Sequence, residues 1–172
     1  MSIRWTGSNE VSTKYFLGAS SKCLDVMRCG MQIHPGNYVF YDRQQAASGS
    51  CTLGEVACYV GARVIGRYPD RNEFLVDAGA SALHKDSAGI EGWGYIVGHP
   101  ALTLQSVSQE VGIVGSSQPI DFDQFPLGKF LRILPNHSCM TACMHEEYQT
   151  VERVPGEDRL RITGNLHPCR GW

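Results

Sequence analysis

A mainly β, antiparallel domain, closed as a barrel or layered as a sandwich, is the fold class this 172-residue sequence predicts. Nineteen glycines and eight prolines cut the chain into short segments. Between the cuts, β-branched and aromatic residues are concentrated, which suits half-buried strands joined by tight turns. After residue 45 no stretch carries a helical period for more than two or three turns.

The elements come in order along the chain. "NYVFYD" (37 to 42) reads as a strand entered through the turn "HPGN", and "VACYVGARVIGRYP" (56 to 69) as a second. "EFLVDAG" (73 to 79), "GWGYIVG" (92 to 98) and "LTLQSVSQEVGIV" (102 to 114) supply further strands. "KFLRILP" (129 to 135), "EYQTVERV" (147 to 154) and "RLRIT" (159 to 163) complete a run of hairpin-like pieces. The first 34 residues differ: a Gly-Ser-rich loop, one short helical turn around "SSKCLDVM" and no hairpin logic, so they need not share the same core. Neither internal repeats nor low-complexity tracts occur.

The formal charge is −2, the pI near 6.3, and charged residues make up 19% without long like-charged runs. That leaves no electrostatic footprint for nucleic acid or a membrane surface. Apolar stretches are interrupted well before the roughly 20 residues a membrane helix needs. "MSIRWTGSNE" has no apolar signal core, so a cytoplasmic protein is expected. Seven cysteines, an odd number, fit reduced thiols or metal ligands better than a disulfide framework. Cys51 and Cys58, among apolar neighbours, read as small buried hydrophobes.

"PNHSCMTACMHEEY" (135 to 148) concentrates the chemistry. In a strand, residues two apart share a face, so His137 and Cys139 point side by side at one ion. Imidazole nitrogen and thiolate sulfur are zinc ligands. Cys143 and His145 repeat the spacing, but a closed four-ligand site needs a reversal that "SCMTAC" has no turn former to make. The open alternative keeps two protein ligands and leaves positions for a third ligand, water or substrate. The plainest reading is a core histidine beside a buried thiol.

"ILPNHSC" (133 to 139) resembles the zinc signature of the D-serine dehydratase-like domain, the C-terminal domain of metal-activated pyridoxal phosphate enzymes that include D-serine dehydratases and D-threonine aldolases. "HPGNYVFYDRQQ" (34 to 45), "FLVDAGASALHKD" (74 to 86), "GWGY" (92 to 95) and "CRGW" (169 to 172) resemble other segments of that family in the same order. The resemblance implies the β domain of an alanine-racemase-type (fold III) enzyme over residues 31–172. Residues 1–30 then correspond to the end of an N-terminal (β/α)8 barrel, otherwise largely absent from a chain this short.

Carried over position by position, the family's zinc ligands fall on His137 and Cys139. Cys139 disfavours the aldolase branch, which usually has Asp there, and a thiolate favours zinc over harder ions. Gly7 and Ser8, in "TGSNEVST" (6 to 13), match a loop that helps hold the cofactor phosphate. None of the four lysines, Lys14, Lys22, Lys85 and Lys129, stands in a context like that of the family's Schiff-base lysine. Val111, in "SQEVG" (108 to 112), replaces a family histidine and cannot titrate or donate.

For a complete enzyme, the resemblance implies dehydration of a small D-3-hydroxy amino acid, D-serine to pyruvate and ammonia, in a homodimer. Pyridoxal phosphate would act as electron sink and zinc as Lewis acid on the substrate hydroxyl. This chain alone is expected to be inactive; a non-catalytic β domain kept for oligomerisation or partner binding is the competing reading. Tyr38, Tyr41 and Asp42 either face the cofactor, stand behind the metal ligands or pack in the core. Asp77 and Asp86 are assigned to backbone donors at a glycine turn. His34, His84, His99 and His167 are assigned to the surface.

Overall fold

A computed structural model describes residues 37, 39–87, 89–156 and 160–169. The strand β1 (Val60–Tyr68) sets the pattern, with Val60, Ala62 and Val64 buried and Gly61, Arg63 and Ile65 turned outward. This period of two is the signature of a sheet with one covered face. β2 (Glu73–Val76) pairs antiparallel with β1, with an irregular register between Val64 and Gly66. A short helix α2 (Ala80–Leu83) follows α1 (Arg43–Ala47) in the helix order. Then come β3 (Gly94–Ile96), β4 (Thr103–Val107), β5 (Gly112–Gly115) and β6 (Phe130–Pro135).

These six strands form one antiparallel sheet in the order β3-β6-β1-β2-β5-β4. Its two edges approach each other, and the Trp93 N–H donates to the Leu104 carbonyl at 2.9 Å, so the sheet is a nearly closed barrel. Closure removes most of the exposed edge that an open sheet would offer. The interior holds Phe74, Val76, Ile96, Leu104, Val114 and Ile133, all without solvent exposure. Each such side chain contributes about 1.5–3 kcal/mol on burial. Phe74 also stacks on Phe125 with ring centroids 5.0 Å apart.

After β6 the chain forms α3 (Ser138–Ala142) and then the hairpin β7 (Tyr148–Arg153) and β8 (Leu160–Leu166). The hairpin is a separate two-stranded sheet in which no described residue is buried. No helix among the described residues is long and apolar enough to cross a membrane.

All the expected strands from "VACYVGARVIGRYP" onward contain a strand, and "LTLQSVSQEVGIV" is a hairpin of two, β4 and β5. The exception is "NYVFYD". Val39 and Phe40 lie in a turn, Tyr41 adopts φ +54°, and Asp42 is the N-cap of α1, its Oδ1 accepting from Gln45 N–H at 2.9 Å. Capping outweighs the strand propensity of the aromatics here. Asp followed three residues later by Gln is the sequence signature of a helix start. Tyr38 lies outside the described residues, as do Gly7, Ser8, His34, residues 1–30 and the helical turn expected around "SSKCLDVM".

Candidate metal centre

The barrel strand β6 ends at Pro135, and the chain beyond it does not continue as the strand that the His-X-Cys spacing suggested. His137 is extended (φ −132°, ψ 98°) and is the N-cap of α3, with its carbonyl accepting from Thr141 N–H at 3.1 Å. Cys139 is therefore helical. The alternation of sides survives nonetheless: Asn136 and Ser138 are 2% and 0% exposed, whereas His137 is half-buried and Cys139 exposed. Both candidate ligands face away from the core, which disposes of the plain core-histidine reading.

The buried neighbours act as pins. Asn136 Nδ2 donates to the Gly92 carbonyl at 2.9 Å, while Arg43 Nη1 donates to Asn136 Oδ1 at 2.7 Å. Ser138 N–H donates to Asp42 Oδ2 at 2.9 Å, and Ser138 Oγ donates to Asn37 Oδ1 at 2.6 Å. Asn37 Nδ2 closes the ring by donating to Asp42 Oδ2. Buried polar groups satisfied in this way specify one conformation, because each alternative strands a donor or acceptor. Asp42 thus holds the backbone between His137 and Cys139, the supporting role among the three weighed for it from sequence.

Asp86 makes a contact beyond its expected duty. Its Oδ2 lies 2.7 Å from His137 Nδ1, 51 positions away in the chain. No spacing rule connects the two residues; the only sequence trace was the presence of Asp86 at the end of "FLVDAGASALHKD". Asp77 does satisfy a backbone donor, the Arg63 N–H at 2.6 Å.

The thiols are electrostatically restrained. Burial raises the Cys139 thiol above its usual value, and the charges of Asp42 and Cys143 add to the effect. Burial pushes Cys58 up to about 11, with Asp42 and Cys139 contributing. Cys51 and Cys58 are half-buried, less enclosed than their apolar neighbours suggested. A divalent cation would reverse the bias at Cys139, since a coordinating thiol is deprotonated outright. A cysteine sulfur and an imidazole nitrogen are donors whose chemistry fits zinc.

Cys143 and His145 take no part. Cys143 Sγ donates to the Met140 carbonyl at 3.1 Å, and His145 Nε2 lies 2.9 Å from the Ala82 carbonyl. Among the described residues no group of three or more His, Cys, Asp or Glu side chains is placed to hold an ion. His99 is half-buried against Phe125, ring centroids 5.0 Å apart, and His84 is half-buried too; of the described histidines assigned to the surface, only His167 is exposed. Val111 lies in the β4–β5 turn, where its carbonyl accepts from Ser108 N–H at 2.8 Å. That turn caps α2 through the Ser108 and Gln109 carbonyls. A Cβ on Gly79 would sit 2.6 Å from Gln109 O and Val111 N, so glycine is required at this crossing.

Residues 57–151 match the profile of the serine dehydratase domain family. A D-serine dehydratase of Dictyostelium discoideum is 40% identical over 151 residues, covering 82% of this chain and 37% of that protein. The structure of D-threo-3-hydroxyaspartate dehydratase from Delftia sp. HT23 superposes with a TM-score of 0.67 at 32% identity, over 78% of this chain and 38% of that one. A variant of a D-threo-3-hydroxyaspartate dehydratase has also been solved in a metal-free form. D-threonine aldolase from Filomicrobium marinum superposes with a TM-score of 0.59 at 28% identity, over 76% and 34%.

Proposed function

Because the chain belongs to the serine dehydratase domain family, we propose that it is the zinc-binding β domain of a pyridoxal-phosphate-dependent dehydratase of D-serine or a related D-3-hydroxy amino acid. The observation that carries this reading is the geometry of residues 136–139: buried Asn136 and Ser138 pin the backbone while His137 and Cys139 face outward, with His137 backed by Asp86. The chain spans 37% of the length of its Dictyostelium relative, so the activity belongs to a larger protein.

In that protein His137 and Cys139 hold the ion and take no direct part in proton transfer. A zinc ion held by His137 and Cys139 would supply Lewis acidity toward the substrate hydroxyl, and pyridoxal phosphate would supply an electron sink. The Asn37, Asp42, Asn136 and Ser138 network keeps the two ligands fixed through substrate entry and release. Gly7 and Ser8 are proposed to contact the cofactor phosphate, and a cytoplasmic homodimer is the proposed setting. A thiolate at position 139 supports a dehydratase over an aldolase. With no lysine in a matching context, the chain by itself is proposed to be catalytically silent.

Elemental analysis of the purified chain tests the reading. About one zinc per chain is expected from the two-ligand site, and it should vanish in a His137→Ala, Cys139→Ala double variant. A zinc-free wild-type chain, after incubation with zinc and desalting, would favour instead a β domain that keeps the fold without the metal chemistry.

A further inference from the structure

Resting on the zinc reading above, we infer that Asp86 is a positioning residue for the metal: it fixes the His137 ring so that Nε2 is the ligand atom. An ionised carboxylate only accepts hydrogen bonds. At 2.7 Å from Oδ2, His137 Nδ1 must therefore carry the proton, and in the neutral ring the lone pair is on Nε2.

The approach of Asp86 is built into the fold. Thr141 Oγ1 donates to the Leu83 carbonyl at 2.9 Å, and His145 Nε2 lies 2.9 Å from the Ala82 carbonyl. Both contacts tie α2 to α3 and its flank, one step before the segment that carries Asp86. Between them and Asp86, His84 turns the chain with φ +65° and ψ 167°, a conformation that side chains other than glycine rarely adopt. The strained corner delivers the carboxylate to the imidazole.

The pair is poorly suited to hold the fold together. The side chains are 29% and 36% exposed, and pairs so open to solvent contribute little to stability. Removing a carboxylate that orients a metal-bound histidine, by contrast, costs about 10–100-fold in metal affinity. A small effect on folding together with a large effect on zinc is therefore the mark of the positioning role.

Zinc affinity is measured by chelator competition on the wild-type chain, Asp86→Ala and Asp86→Asn. Asp86→Ala should bind zinc about 10–100-fold more weakly. Asp86→Asn, which keeps an oxygen acceptor for Nδ1–H, should fall between it and wild type. Both variants without metal should unfold at urea midpoints close to that of wild type. Nitrogen-15 spectra of the metal-free chain, above the pH at which imidazole protonates, should place the His137 proton on Nδ1 in wild type and shift it toward Nε2 in Asp86→Ala. Equal zinc affinity in wild type and Asp86→Ala, or an Nε2–H tautomer in wild type, overturns this inference alone. A wild-type chain that binds no zinc overturns the proposed function and the inference with it.

Discussion

The buried Asp42 carboxylate serves three donors at once. It is 1% exposed, caps α1 through Oδ1, and with Oδ2 receives both the Ser138 N–H and the Asn37 amide. Removing it costs a helix cap, about 1 kcal/mol, and strands a buried backbone N–H, about 1–3 kcal/mol more. Asp42→Ala should therefore lower the unfolding free energy by about 2–4 kcal/mol in urea titrations. Asp42→Asn, which retains an acceptor, should lose less. Since Ser138 lies between the two proposed ligands, zinc binding should weaken in step with stability, unlike in Asp86→Ala, where the two separate. Equal stability of Asp42→Ala and wild type would show that the network is bystander geometry.

At the level of elements, what the sequence disclosed and what it hid divide along one physical line. Strands from β1 to β8 were legible because β-branched and aromatic residues between glycine or proline breaks are a local signal, reinforced in β1 by the alternation of Val60, Ala62 and Val64. "NYVFYD" misled because its aromatics speak for a strand and outnumber the one local cue against it, the Asp42–Gln45 cap; the second contact of Asp42 lies 96 positions away, at Ser138. The same holds for the site. His137 and Cys139 stood out as adjacent ligand types, whereas the Asp86 contact exists only once α2 and α3 are packed together. The His84 corner between α2 and Asp86 carries a measurable cost. Its backbone conformation costs about 1–3 kcal/mol for a side chain other than glycine, and its Nδ1 is buried without a hydrogen-bond partner. His84→Gly should raise metal-free stability by about 1 kcal/mol after glycine's entropic penalty is deducted. His84→Ala should gain less, because it leaves the backbone strain in place. If alanine matches glycine in urea midpoints, the strain is not where the dihedral angles locate it.

The whole molecule combines a well-filled barrel with an appendage that has no core. A two-stranded hairpin is marginal in water unless it packs on something, yet β7 and β8 have no buried residue. In β8, Ile162 and Leu166 are 57% and 56% exposed, and on the main body Leu127 is 64% exposed. Single exposed apolar side chains are ordinary, but two on a hairpin tied to the main body through Tyr148, which donates to the Ala142 carbonyl and meets Phe40 edge-on, call for cover. For the isolated chain the available cover is a second copy. Light scattering across a concentration series should show self-association, and an Ile162→Lys, Leu166→Lys variant should shift it toward monomer while leaving zinc stoichiometry unchanged, since neither side chain belongs to the metal centre. A wild-type chain that stays monomeric at high concentration would show that the hairpin stands on its own strand pairing, and the proposed dimer of the complete enzyme would then need a different surface.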